Sequence, residues 1–192
     1  MQSARAVAII RSLSRFGNHH QSAPELIHPA EVVDDVARLR APEPGRPAIA
    51  VKVSSKPGRR VSANFAELEQ VVLNFVTNAQ EAVASLPEDD RRVEVCVTDV
   101  ARWIRVEVRD NGPGVSPDDE AKLFQPFFTT KSVGKGTGLG LSVSYGIIQS
   151  HGGAIGYVRN EWGGATFFFE LPVVESDAMM GHDDQAVLRR PL

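Results

Sequence analysis

The apolar positions of this chain change period several times, and each change marks an element. "SARAVAIIRSLSRF" places Ala6, Ile9, Ile10, Leu13 and Phe16 at helical spacing over an arginine-rich opposite face, and Gly17 with Asn18 stops it. "HPAEVVDDVARLRAP" predicts a short helix, with Pro29 near its first turn and Pro42 beyond its end. "AIAVKV" alternates as a strand does, and "KPGRR" is a turn. The longest helical stretch is "NFAELEQVVLNFVTNAQEAVASL", with Asn64 as N-cap and Leu68, Val71, Val72, Phe75, Val76, Ala79 and Val83 as its apolar face. "RRVEVCVTDV" and "RWIRVEVRD" alternate as two strands of a hairpin joined near Val100 and Ala101. "PDDEAKLF" predicts a short helix, and "GLGLSVSYGIIQSH" a longer one closed by Gly152 and Gly153. "AIGYVR" and "ATFFFELP" flank "NEWGG" as a second hairpin, and the last stretch has no period. Helices and antiparallel strands without regular βαβ alternation predict an α+β fold, a two-layer α/β sandwich.

Composition narrows the class without naming a function. The 192 residues suffice for one domain with a core and an appendage, and 42% hydrophobic with 23% charged residues is ordinary for a globular protein. A net charge of −3 gives no electrostatic case for nucleic acid. No apolar run approaches the roughly 18 residues of a membrane span. The opening "MQSARAVAIIRS" lacks a signal-peptide pattern. The single Cys96 excludes an internal disulfide and suits a reducing compartment, so the expected location is cytoplasmic, with no membrane contact by this chain.

Three segments carry candidate chemistry. On the long helix Gln70, Asn74, Asn78 and Glu81 recur every three or four residues beside the apolar face. Asparagine is a poor interior helix former, so the stripe is either a solvated face or a row of amide oxygens facing a cavity, where they suit a hard cation such as Mg²⁺. On "RWIRVEVRD", Ile104, Val106 and Val108 share one face and Asp110 continues that phase. It is either a turn acid or an inward carboxylate that needs a hydrogen-bond donor. Gly112 and Gly114 follow it. In "GKGTGLGLS" the glycines 134, 136, 138 and 140 alternate into a helix start, which exposes backbone N–H groups as an anion cradle. Just upstream, "FQPFFTTK" offers Phe124, Phe127 and Phe128 as anchors and Lys131 as a charge for a phosphate.

Taken in order, these segments resemble the ATP-binding fold shared by sensor histidine kinases, DNA gyrase B, Hsp90 and MutL. "LNFVTNAQEA" matches the N box and "DNGPGV" the first G box. "LFQPFFTTK" matches the F box, "GTGLGLS" the second G box, and "GGATFFFELP" the final hairpin. The match runs from about residue 29 to 172 and looks most like nitrogen-regulation-type histidine kinases.

The resemblance implies a Bergerat-type sandwich whose mixed, mostly antiparallel sheet has helices on one face. It implies that Asp110 accepts from the adenine amino group while Gly112 and Gly114 pass close to the base and Thr166 supports it. Asn78 would coordinate Mg²⁺, assisted by Asn74. Gly136, Thr137, Gly138, Leu139, Gly140 and Leu141 would cradle the phosphates. The segment 125–136 would be a lid that orders on nucleotide, with Phe124, Thr130 and Lys131 at the site. Asn74, Asn78 and Lys131 are the expected catalytic residues. Glu81 is an expected ATP contact, although many histidine kinases carry lysine there.

Hydrolytic members look as if they place a glutamate where this chain has Asn74, which cannot act as a general base. That favours phosphoryl transfer to another nucleophile over hydrolysis, with Glu69 and Glu81 the acids nearest. Residues 1–20 look like the end of a dimerisation hairpin whose acceptor histidine is missing, 21–174 like the catalytic and ATP-binding domain, and 175–192 like a tail or linker. Implied partners are that hairpin domain, a response regulator and a second copy of the chain. Two alternatives share the fold: an anti-sigma-type serine kinase and a non-catalytic nucleotide-sensing module.

Overall fold

The computed structural model describes residues 23–40, 48–54, 56, 59–131 and 136–174. The helix expected before residue 17 and the tail after 174 lie outside these residues.

The elements follow as β1 (Glu25–Ile27), α1 (Pro29–Leu39), β2 (Ile49–Val53), β3 (Arg60–Ala63), α2 (Phe65–Ala82), β4 (Val93–Val100), β5 (Trp103–Asp110), α3 (Pro117–Glu120), α4 (Gly140–Ser150), β6 (Ala154–Arg159) and β7 (Ala165–Val174). One mixed sheet runs β1-β3-β7-β5-β4-β2, with β6 also on β7, and β2–β4 is its parallel pair. The β4–β5 hairpin turns at Ala101, which takes a positive φ of 51°.

Binary patterning explains the two layers. Val93, Val95 and Val97 of β4, Ile104, Val106 and Val108 of β5, and Phe167, Phe169 and Leu171 of β7 all point inward. They meet the predicted apolar face of α2, every member of which is buried. Phe75 packs on both Phe167 and Phe169, with ring centroids 5.6 and 6.4 Å away. The opposite sheet face is charged: Arg105 bonds Glu107 along its own strand and Glu170 on the neighbouring β7, and its guanidinium covers Phe168.

Local chemistry sets the helix ends. Asn64 caps α2, its side chain accepting from the Glu67 N–H at 3.2 Å. The Asn64 N–H in turn donates to His151 Nε2 at 3.0 Å. Since that nitrogen accepts, Nδ1 carries the proton and donates to the Ile147 carbonyl at 2.8 Å. His151 thus joins the end of α4 to the start of α2. The expected helix at "PDDEAKLF" shrinks to four residues, because Leu123 and Phe124 turn in toward the core instead of continuing the helix.

Candidate functional site

One cavity of about 730 Å³ opens between α2, the end of β5, the F-box segment and the start of α4. Its size is that of a small-molecule site.

The acid sits at one end. Asp110 is 2% exposed, and its Oδ1 accepts from the Gly112 N–H at 2.8 Å and the Ala165 N–H at 3.3 Å. Oδ2 takes no donor from the described residues. Burial pushes the carboxyl above its usual range, and the two backbone N–H groups only partly oppose that. Asn160 fixes the surroundings: its Nδ2 donates to the carbonyls of Asp110 and Ala165 at 2.8 and 2.9 Å. Gly164 is obligatory here, because a Cβ would stand 2.1 Å from the Asp110 carbonyl oxygen.

The amides sit at the other end. Asn74 donates from Nδ2 to the Gly140 carbonyl at 3.1 Å and to Ser144 Oγ at 3.2 Å, so it ties α2 to the first turn of α4. Asn78 Oδ1 accepts from Lys131 Nζ at 2.9 Å, and the same ammonium pairs with Glu81. An amide oxygen and a carboxylate therefore already hold one cation. Such hard oxygen donors fit Mg²⁺ that draws its other ligands from phosphate and water.

The glycine segment closes the cavity above the amides. Gly138 has φ +67°, and a Cβ on it would meet the backbone of Phe127 at 2.4 Å. Phe127 itself has φ +67° and is 62% exposed. The ends of the segment between them are in contact, and each adopts the left-handed region to allow it.

Of the residues expected from sequence, Asn74, Asn78, Asp110, Gly114, Thr130, Lys131, Gly136, Thr137, Gly138, Gly140 and Leu141 line this one cavity. Five do not. Thr166 pairs with Arg109 in register and so faces the charged side of the sheet, where its Oγ1 accepts from Asn160; Ala165 and Phe167 take the cavity wall. Glu81 is exposed and occupied by Lys131. Gly112 lies behind the wall, where a Cβ would strike that of Ala82 at 2.9 Å. Phe124 packs on Tyr145, ring centroids 6.0 Å apart. Leu139 caps α4 through its backbone. Residues 132–135 of the expected lid, Gly134 among them, lie outside the described residues.

Leu73, Thr77 and Leu123, which the sequence motifs did not single out as site residues, also line the cavity, and so does Phe128, one of the expected anchors. Thr77 could have been found by its spacing, since it adjoins Asn78 and follows Asn74 by three.

Comparison with known proteins agrees with this geometry. Residues 63–175 match the family described as histidine kinase-, DNA gyrase B-, and HSP90-like ATPase. Sensor kinase CckA of Brucella abortus is 37% identical over 186 residues, covering 88% of this chain and 19% of CckA. Sensor protein FixL of Bradyrhizobium diazoefficiens is 35% identical over 92% of this chain and 34% of FixL. The chain thus spans about a fifth to a third of those relatives. The solved catalytic domain of histidine kinase ThkA superposes with TM-score 0.67 at 30% identity, covering 79% of this chain and 96% of that one. A cavity with a buried acid at one end and amides under a glycine turn at the other, within this sheet, places the chain in the histidine kinase-, DNA gyrase B- and HSP90-like ATPase family, among the catalytic domains of histidine kinases.

Proposed function

We propose that this chain is the ATP-binding catalytic domain of a two-component sensor histidine kinase, passing the γ-phosphoryl group to a histidine on a dimerisation hairpin. The observation that carries this reading is the shared cavity of Asp110 and Asn78. Asp110 Oδ2 would accept from the adenine amino group. Asn78 would hold Mg²⁺ against the phosphates, a charge that offsets their repulsion as the phosphoryl group leaves. Lys131 would exchange Glu81 for a phosphate oxygen, and the N–H groups of the glycine turn would cradle the chain of phosphates.

Asn74 supports transfer rather than hydrolysis. Both its amide protons are committed to α4, and an amide cannot take a proton from water. The partners follow from the sensor-kinase relatives: a hairpin domain, through it a second copy of the chain, and a response regulator. A cytoplasmic location belongs to this reading, supported by the single Cys96 and by the ATP the reaction would use.

The test is incubation with Mg²⁺ and γ-labelled ATP, with and without a separately supplied acceptor hairpin. Label should appear on the hairpin and be lost in acid. Acid-stable label would indicate a serine kinase, and label mapping to His19 or His20 would overturn the proposed acceptor.

A further inference from the structure

Arg40 belongs to none of the asparagine, phenylalanine or glycine segments. It follows α1, and its Nη2 donates to Thr77 Oγ1 at 2.5 Å. Its Nε is buried without a hydrogen-bond partner, and no carboxylate pairs with it among the described residues. Several other cations near the cavity and sheet are answered: Lys131 by Glu81, Arg109 by Glu94 and Glu161, Arg60 by Glu31. A partly buried guanidinium with no anion is costly unless something negative arrives.

Thr77 lines the cavity. A guanidinium only donates, so the Thr77 hydroxyl must accept from it and keeps its own proton for another acceptor. Ser144 and Ser150 return theirs to carbonyls of their own helix, whereas Thr77 makes no such bond. Gln80, one turn along the same strip of α2, is 6% exposed with neither amide atom partnered among the described residues, so this strip carries further unsatisfied polar atoms.

Position selects the acceptor. Ala82 backs Gly112 at the acid end of the cavity, and Asn74 is tied to Gly140 at the glycine end. At 1.5 Å per residue, Thr77 lies about 4.5 Å along the axis from Asn74 and about 7.5 Å from Ala82. The oxygen it faces is therefore on the phosphate side.

We propose that Arg40 is a positioning residue for the phosphate chain: it holds the Thr77 hydroxyl as a donor to a phosphate oxygen and adds an uncompensated positive charge behind it. This rests on the nucleotide reading of the cavity. NMR titration of the chain with Mg²⁺ and adenylyl imidodiphosphate, and separately with adenosine, tests it on the wild type, Arg40→Gln, Thr77→Val, Thr77→Ser and the Arg40→Gln/Thr77→Val double variant.

Arg40→Gln and Thr77→Val should each weaken the triphosphate analogue about tenfold or more, as expected for a hydrogen bond to a charged group. Thr77→Ser should restore it, and the double variant should be no worse than Arg40→Gln within about twofold. Adenosine should bind all of them alike. An unchanged analogue affinity in Arg40→Gln, equal losses for adenosine, or losses that multiply in the double variant would each overturn the proposal. A wild type that binds neither ligand would refute the proposed function itself, and this inference with it.

Discussion

At the scale of single residues, Asp110 decides the most. Its Oδ1 is occupied by two backbone N–H groups, which leaves Oδ2 as the acceptor in the cavity. Asp110→Asn can keep the first set of bonds but must put an N–H₂ donor where Oδ2 stood, opposing another donor. Adenine-nucleotide affinity should fall about a hundredfold, the scale of a buried mismatch. The same variant should not weaken the ligand-free fold. The folded carboxyl lies above its unfolded pKa, so the folded state binds the proton more tightly and wild-type stability falls as pH rises through that raised value. Melting of both chains between pH 4 and 7 should show Asp110→Asn gaining on wild type toward pH 7; a constant gap would contradict the burial argument. The misplacement of Thr166 belongs to this scale as well. Phe167, Phe168 and Phe169 are apolar at three successive positions, so β7 shows no alternation from which its inward parity can be read. Phe168 faces outward beneath Arg105 and looks, in sequence, like its neighbours.

At the scale of elements, α2 organises the site and was almost wholly legible. Its cap, its apolar face and its amide stripe all follow from a 3.6-residue period. The ties between elements were not legible, because sequence spacing says nothing about what a side chain meets across space. Asn74 was expected to help bind ligand; it does line the cavity, but its donors hold α4. Asn74→Asp replaces two donors by a carboxylate facing the Gly140 carbonyl. It should cost about 2 kcal/mol in denaturant unfolding, through lost hydrogen bonds and repulsion. The Phe127–Gly138 contact makes a second element-level prediction. Gly138→Ala forces a Cβ into the Phe127 backbone and a non-glycine residue into the left-handed region. Nucleotide affinity should drop about tenfold or more while the melting temperature moves only a few degrees, since the segment lies outside the main core. Equal losses in both would mean the turn is part of the core. Lys131 and Glu81 are both partly exposed, so their pair contributes about 1 kcal/mol or less. That is weak enough for a phosphate to displace, and Glu81→Gln should leave the melting temperature within about two degrees.

At the scale of the whole molecule, the sandwich was legible because one sheet face is apolar and the other charged. β1 and β3, three and four residues long, were missed because such lengths carry no period; their pairing with each other and with β7 exists only in three dimensions. The charged face has its own anchor. Glu94, buried on β4, meets Lys52 at 2.7 Å, with Arg109 and Arg92 at 3.7 and 3.9 Å. Burial opposes its charge, but bonds from Lys52 and Cys96 and the charges of Lys52 and Arg109 outweigh that and lower its pKa. Its contribution is therefore present above its ordinary range and lost as pH falls through the lowered value. Glu94→Gln should cost about 1–2 kcal/mol at pH 7 and less in acid, measured by urea unfolding. The proposed function requires above all that the two ends of one cavity read one nucleotide. Calorimetric titration with ATP and Mg²⁺ tests it most directly. Wild type should bind one ATP per chain, Asp110→Ala should show no binding, and Asn78→Ala should bind without the gain that Mg²⁺ gives wild type. A wild type that ignores ATP, or an Asp110→Ala chain that binds it as well as wild type, would contradict the account.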